Sequence, residues 1–327
     1  MTSDDAAGPS RGLGPGDVAV VTVSYRGDFE LARDLCRSLD SYLDEEIEHI
    51  LVVPRADLLM FSPLAGGRRR VVTVEDVLPR GYLQLPVPGE VRLGRFVKRI
   101  REIWIGPGGA VRGWIIQQIL KLSAPSFTDR EVIVFADSDI VLVAPLTAER
   151  LVRGDRVRLY RVPGAAADLP THVRWHKASA RLLGLEARGY LGADYIGNLI
   201  TWRRSTILRL QECLSRGAPG RRWDKVVARR RGGFSEYVLY GVFADLVLGA
   251  DESGHFAATE DLVHAGWFFD LSTDDGVEDF VGGFTAGQVG VAIQSTERFT
   301  LDQRRDLVRR ASTGQGGGVG PDRAHET

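Results

Sequence analysis

The sequence is short of cysteine, of lysine and of long apolar runs. It has two cysteines in 327 residues, Cys36 and Cys213, each in a stretch with helical spacing. Two such thiols make neither a disulfide framework nor a metal cluster, so a reducing, cytoplasmic setting is expected. No apolar run approaches the ~20 residues that a membrane span requires. The opening MTSDDAAGPSRGLGPGD lacks the basic and apolar regions of a signal peptide. Lysine and arginine total 42 against 43 aspartates and glutamates, a net charge of -1. That balance excludes a strongly basic nucleic-acid binder and a long acidic tail. Only Lys98, Lys121, Lys177 and Lys225 are lysines, an arginine bias that suggests a GC-rich bacterial genome and says little about chemistry.

What is present is ordinary globular material, 44% hydrophobic and 26% charged, enough for one large α/β domain or two small ones. Residues 1–16 and 312–327 are rich in Gly, Ser, Pro and Asp and read as disordered tails. Between them, residues 17–150 read as a ligand-binding half and 151–311 as a less regular second half. Val18 to Tyr25 is a nearly continuous β-branched run, as in a parallel strand buried on both faces. Leu31, Leu35, Leu39 and Leu43 follow at helical spacing, then strands at 49–53 and 70–74. This alternation predicts a doubly wound (Rossmann-like), mostly parallel sheet, which binds ligands beyond the carboxyl ends of its strands. Residues 80–110 carry many Gly and Pro and read as irregular. A helix is expected over 114–122, a short strand over 198–202, and helices over about 205–214, 236–248 and 298–310. A late strand is expected over 289–293.

The most informative segment is EVIVFADSDIVLVAP, residues 131–145. Asp137 and Asp139 interrupt an apolar strand, and side chains two apart on an extended chain share a side. Two close carboxylates repel unless protons or a cation neutralise them. A hard divalent ion, Mn²⁺ or Mg²⁺, is the simplest cation, and such ions usually reach a substrate through phosphate oxygens. The plainer alternative is a strand entering a solvated turn. Two chemistries use the pattern. A haloacid-dehalogenase-type phosphatase uses D-x-D as nucleophile and general acid, and Asp274-Asp275 imitates its later acid motif. A nucleotide-sugar transferase uses D-x-D to hold a cation on the donor diphosphate. The phosphatase motif normally ends the first strand of its domain, whereas three strands precede Asp137, which favours the transferase. A non-catalytic nucleotide-sugar binder is the third reading.

VTVSYRGDFELARDLCRSLDSY, GWIIQQILKL, VIVFADSDIVLVAP and FSEYVLYGVF, in this order, resemble a bacterial family of GT-A-type glycosyltransferases over roughly residues 18–300. The resemblance implies a GT-A-type fold with an acceptor-side α+β second half. It also implies a metal-dependent transfer from a UDP- or GDP-linked nucleotide-sugar to an unidentified acceptor. More distantly, Leu262–Trp267 is similar to the late His-x-Gly segment of the glycogenin-like retaining family, which implies His264 as a third metal ligand. The lysine that usually follows in that family is missing here.

The remaining candidates each have a plainer reading beside the functional one. Thr22, Ser24 and Tyr25 end the first strand, where a nucleotide sits. Asp28 is either a ribose or base contact or a helix N-cap. Gln118 and Lys121 share a helix face that is either solvated or turned to a diphosphate, with Ser138 between the two acids as a further donor contact. Glu236 opens a helix, where the dipole alone favours an acid; its functional role is a general base. Asp194 and Asn198 are candidate acceptor contacts. His264 is either a ligand or a packed histidine beside aromatic residues. The runs Arg68–Arg70 and Arg229–Arg231 read as solvated faces. Tyr190, Tyr195, Trp202 and Trp223 are either core or a sugar platform.

Overall fold

The computed structural model describes residues 12–85, 90–93, 96–99, 103–186, 189–217, 220–230, 233–295, 297 and 299–313. The expected tails therefore fall outside the described residues except at 12–16 and 312–313, as do Arg231 and Gly232.

The central sheet has five strands: β1 (Val18–Val23), β2 (Glu48–Val53), β3 (Arg69–Thr73), β4 (Val132–Phe135) and β5 (Ile200–Arg203). Their order across the sheet is β5-β4-β1-β2-β3. β1 to β4 run parallel, and β5 is antiparallel to β4. The apolar run of β1 is needed because both faces are covered. Val18 and Val20 pack with Leu35 and Leu39 of helix α1 (Phe29–Tyr42), while Ala19 and Val21 pack with Ile115 and Ile119 of the Gly113–Leu122 helix. Truncating a side chain such as Leu35 removes apolar contact and leaves a cavity, which costs about 2–5 kcal/mol.

The chain winds outward from β1 through β2 to β3 and then returns to place β4 on the other side of β1. The strand order thus reverses between β1 and β4, which opens a crevice at their carboxyl ends. β4 stops at Phe135. Ala136 N–H still bonds Val21 O at 3.0 Å, and Ile140 N–H then bonds Asp137 O across a turn at 3.2 Å. Ile140–Leu142 joins a second, three-stranded sheet with Gly290–Ala292 and Val263–Ala265. Asp137 to Asp139 therefore bridge two sheets. They are not one extended strand, as their spacing predicts.

Residues 103–112 are also more regular than their glycines suggest. Ile103–Gly106 and Gly109–Arg112 form an antiparallel hairpin, and Leu83–Leu85 pairs on its other edge. Gly109 turns the hairpin with φ +108°, a conformation that residues with a Cβ rarely adopt. The predicted 236–248 helix is α-helical over Glu236–Val242 and continues as a π-helical stretch over Phe243–Leu248. A helix over Pro170–Leu183 crosses the half read as irregular. The last helix spans Leu301–Thr313.

Candidate active site

Two connected hollows occupy the crevice. The first is a cleft of about 310 Å³ lined by Asp28, Gln118, Lys121, Asp137, Ser138 and Asp139 on one side. Trp175, Ile196, Glu236, Tyr237 and Ser295 close the other side. The second hollow, about 420 Å³, is lined by Ser24 and Tyr25 with Pro54, Val74, Trp104 and Trp114. Val23, Trp114 and Gln117 line both.

Lys121 lies at the centre of the polar cleft. The helix before β4 brings it there, with a mostly buried stem and its ammonium facing three partners. Nζ lies 3.3 Å from Glu236 Oε1 and 3.5 Å from Asp137 Oδ1, and it donates to the Tyr237 hydroxyl. It also sits 4.2 Å from the Tyr237 ring centroid, within cation–π range. Burial pulls the ammonium toward its neutral form. Asp137, Tyr237 and Glu236 outweigh that pull and hold its pKa well above the usual value.

Of the two acids on the turn, Asp137 is exposed and Asp139 partly buried. Asp139 Oδ2 accepts from Ser295 N–H at 3.3 Å. Its pKa is pushed up to about 7, by burial first, then by the charge of Asp137 and further by Asp28. A divalent cation would relieve that repulsion, and the chemistry of two carboxylates on an open cleft suits a hard ion. Asp137 and Asp139 would hold it. Among the described residues no three His, Cys, Asp or Glu side chains converge as a ready cage. The other positions would fall to water and phosphate oxygens.

Gln118 is 1% exposed, and both polar atoms of its amide find no hydrogen-bond partner within the chain; Ser24 Oγ is in the same condition. Asp28 occupies the N-cap position of α1 without capping it through its side chain, and instead lines the cleft. Glu236 opens its helix, as expected from the dipole, and is 6% exposed. The candidates Ser24, Tyr25, Asp28, Gln118, Lys121, Asp137, Ser138, Asp139 and Glu236 are therefore brought together.

Four are not. Thr22 is fully buried, with Oγ1 3.2 Å from His49 Nε2. His49 Nδ1 accepts from Arg69 Nε at 2.7 Å, which assigns the ring proton to Nε2 as donor to Thr22. Arg69 also reaches Asp40 and the Cys36 carbonyl, so the middle of the Arg68–Arg70 run is buried, not a solvated face. His264 lies in the second sheet, stacked on Phe280, with Nε2 2.6 Å from the Phe280 carbonyl oxygen. It does not line the cleft, and the position implied for a third ligand is taken by packing. Asp194 accepts from Tyr195 N–H at 3.0 Å and sits 3.2 Å from His172 Nδ1. Asn198 donates to Asp261 through both its backbone and its side-chain amide, each at 3.1 Å. Both are buried and spent on structure. Trp202 stacks on Tyr240, and Tyr195 is buried, so these rings are core. Asp274 and Asp275 open an exposed helix and do not line the cleft, which removes the geometric basis of the phosphatase imitation.

Sequence reasoning missed Trp104, Trp175, Tyr237 and Ser295. Trp175 lies 6.1 Å from Trp114, and both line the cleft, unlike Trp202 and Trp223, the tryptophans read from sequence as a sugar platform. The signal for Tyr237 was available, since it follows Glu236 directly at a helix start.

Residues 19–264 match the model described as "Family of unknown function (DUF6492)", and the chain belongs to that family. No curated protein matches the sequence. Among solved structures, the chain is similar to the apo-form glycosyltransferase GlyE of Streptococcus pneumoniae TIGR4, at 12% identity and TM-score 0.41, over 90% of this chain and 60% of that one. The chain therefore spans about three fifths of the length of GlyE. An active-site mutant of LgtC matches at 11% identity and TM-score 0.44, over 90% and 96% of the two chains. The galactosyltransferase LgtC in complex with donor and acceptor sugar analogues matches at 13% and 0.39, over 93% and 98%.

Proposed function

We propose that this member of the DUF6492 family is a metal-dependent glycosyltransferase of GT-A type that moves a sugar from a UDP- or GDP-linked donor to an acceptor hydroxyl. One observation carries the reading. An acidic turn, a buried lysine and a buried glutamate line one cleft at the strand-order reversal, and that cleft opens into an aromatic-walled hollow. The hollow suits a base and ribose; the polar cleft suits a diphosphate and sugar.

The chain's own groups divide the work. Tyr25 and Trp114 offer ring surface to the base, the buried Trp104 forms part of the wall, and Ser24 carries a buried hydroxyl that has no internal partner. Asp137 and Asp139 would hold the Mn²⁺ or Mg²⁺ ion, which would neutralise charge on the departing diphosphate. Lys121 adds a fixed positive charge at the same place. Diphosphate in the cleft draws Lys121 toward itself and leaves Glu236 to take the acceptor hydroxyl proton. Gln118 lines the same cleft, and its buried amide, unsatisfied within the chain, turns into the cleft to meet hydroxyl groups of the donor.

The test is thermal stabilisation by UDP and GDP with and without Mn²⁺, followed by assay of metal-dependent hydrolysis of nucleotide-sugars. A ligand at about 100 times its Kd stabilises by roughly 2.7 kcal/mol, a rise of several degrees. Absence of both stabilisation and hydrolysis with every nucleotide-sugar tried, metal present, would overturn the proposal.

A further inference from the structure

Asp139 leans on a segment that arrives from the far end of the chain. Strand Gly290–Ala292 of the second sheet pairs antiparallel with Ile140–Leu142, with Ala292 opposite Ile140. That register carries residues 293–295 back past the acidic turn, where Ser295 N–H reaches Asp139 Oδ2 at 3.3 Å. Ser295 lies in a turn closed by Glu297 N–H on Gln294 O at 3.0 Å. A single backbone bond in water holds such a turn weakly.

Arg304 supplies the rest. It donates from Nη1 to Ile293 O at 2.7 Å and from Nη2 to Glu297 O at 2.8 Å. One carbonyl lies two residues before Ser295 and the other two residues after it. The sequence puts Arg304 there by starting the last helix sharply. Thr300 N–H donates to Gln303 Oε1 and Gln303 N–H to Thr300 Oγ1, at 2.8 and 3.3 Å, a reciprocal cap. Leu307 and Ala311, farther along the helix, pack in one core with Val291 and Ile293 and fix its height over the sheet. Arg304 is only 7% exposed. Burial works against its charge, whereas Asp139, Glu297 and Asp28 work for it, so it stands behind the acids of the cleft. The planar fork of an arginine spans two carbonyls at once, which the compact ammonium of a lysine does not.

We infer that Arg304 is a positioning residue for the metal site. By gripping the loop on both sides of Ser295, it holds that N–H on Asp139 Oδ2 and so fixes the carboxylate that would meet the ion. Partners behind a metal ligand set its orientation, and losing one typically costs about 10–100-fold in metal affinity. The metal role rests on the transferase reading; the grip on the loop does not.

The experiment uses the full chain and Mn²⁺, alone and with UDP or GDP, with free Mn²⁺ counted by its paramagnetic resonance signal. Arg304→Lys keeps the charge and gives up the two-carbonyl grip. Ser295→Pro removes the N–H at the second position of its turn, where proline is favoured. Each should weaken Mn²⁺ binding by about tenfold or more, equivalent to some 1.4 kcal/mol. Leu307→Ala loosens the same helix without touching the grip. It should lower the melting temperature and leave Mn²⁺ affinity as in the wild type. In the apo protein, amide exchange at Ser295 and Glu297 should quicken in Arg304→Lys. Unchanged Mn²⁺ affinity in both loop variants, or an equal loss in Leu307→Ala, would overturn the proposal. So would unchanged exchange in Arg304→Lys. A wild-type chain that binds no Mn²⁺ would sink the metal role together with the transferase reading, and faster exchange in Arg304→Lys would then keep the grip alone.

Discussion

Lys121 Nζ lies 3.3 Å from Glu236 Oε1, and both side chains are under a tenth exposed. Removing Lys121 leaves the Glu236 charge buried and unanswered, which costs about 3–5 kcal/mol, whereas removing Glu236 leaves Lys121 its contacts with Asp137 and Tyr237. Lys121→Met should therefore destabilise the protein strongly, while Lys121→Met combined with Glu236→Gln should recover much of the loss. Urea unfolding of the two single variants and the double measures the coupling. Single-variant losses that simply add would mean that the two groups do not sense each other.

Glu236→Gln alone separates binding from chemistry. The variant keeps an amide of the same shape beside Lys121, so the donor site should survive. Proton removal from the acceptor should not, and general bases contribute typically 10²–10⁴-fold. Nucleotide affinity near that of the wild type with transfer slowed by at least about 100-fold is the expected result. Normal turnover would take Glu236 out of the mechanism.

Asp139 makes the apo protein sensitive to pH in a direction that can be worked out. Its carboxyl ionises near 3.8, the ordinary aspartate value, in the unfolded chain and at about 7 in the folded one, raised by burial and by Asp137. Between those values the folded state keeps a proton that the unfolded state has lost. Stability therefore falls as pH rises from about 4 to about 7 and then levels. Asp139→Asn lacks this slope. Melting temperatures with EDTA at pH 5 and pH 8.5 should show the wild type losing stability relative to the variant. With Mn²⁺ the ion competes with the proton, so metal affinity should rise up to about pH 7 and flatten above it. Parallel pH profiles for the two proteins would remove Asp139 as the source.

The parts of this site that could be read from the sequence are those that violate local expectation. Two acids in an apolar strand are costly unless they meet a partner, so Asp137 and Asp139 stood out. β1 was equally legible because a strand covered on both faces has no polar side to show. Contacts between distant segments left no local trace. Thr22 faces His49 and His49 faces Arg69, 27 and 20 residues away, and only strand register puts them in line. Asp194 and Asn198 read as available polar groups because their partners, His172 and Asp261, lie 22 and 63 residues distant. Trp104 was hidden for another reason. Its hairpin is turned by glycines, and glycine-rich sequence reads as loop whether or not strands flank it.

His264 gives the sharpest contrast between motif and packing. It is 5% exposed, its ring stacks on Phe280, and burial lowers its pKa, so it is held neutral. His264→Ala should cost about 1–3 kcal/mol, from the lost bond to the Phe280 carbonyl and the cavity left behind. Mn²⁺-dependent nucleotide affinity in the folded variant should equal that of the wild type. Calorimetric titration with UDP and GDP decides the point, and a tenfold loss of metal-dependent affinity would return His264 to the site.

Gly27 controls the wall of the aromatic hollow from below. It lies in the short turn Arg26–Asp28 between β1 and α1. A Cβ there would sit 2.4 Å from Tyr25 Cε2 and 2.7 Å from its hydroxyl oxygen, closer than carbon and ring atoms can approach. The ring is the far end of a side chain with two rotatable bonds, so Gly27→Ala should displace it at a cost of under about 1 kcal/mol in stability. Tyr25 lines the hollow with Trp104 and Trp114. A nucleobase that stacks there loses one of its faces, and such stacking is worth about 1–3 kcal/mol per base. Gly27→Ala should therefore weaken UDP or GDP binding by about tenfold, as Tyr25→Ala should, and the two changes together should do little more than either. If both variants bind nucleotide as the wild type does, the base rests elsewhere and the hollow beside β1 is not its seat.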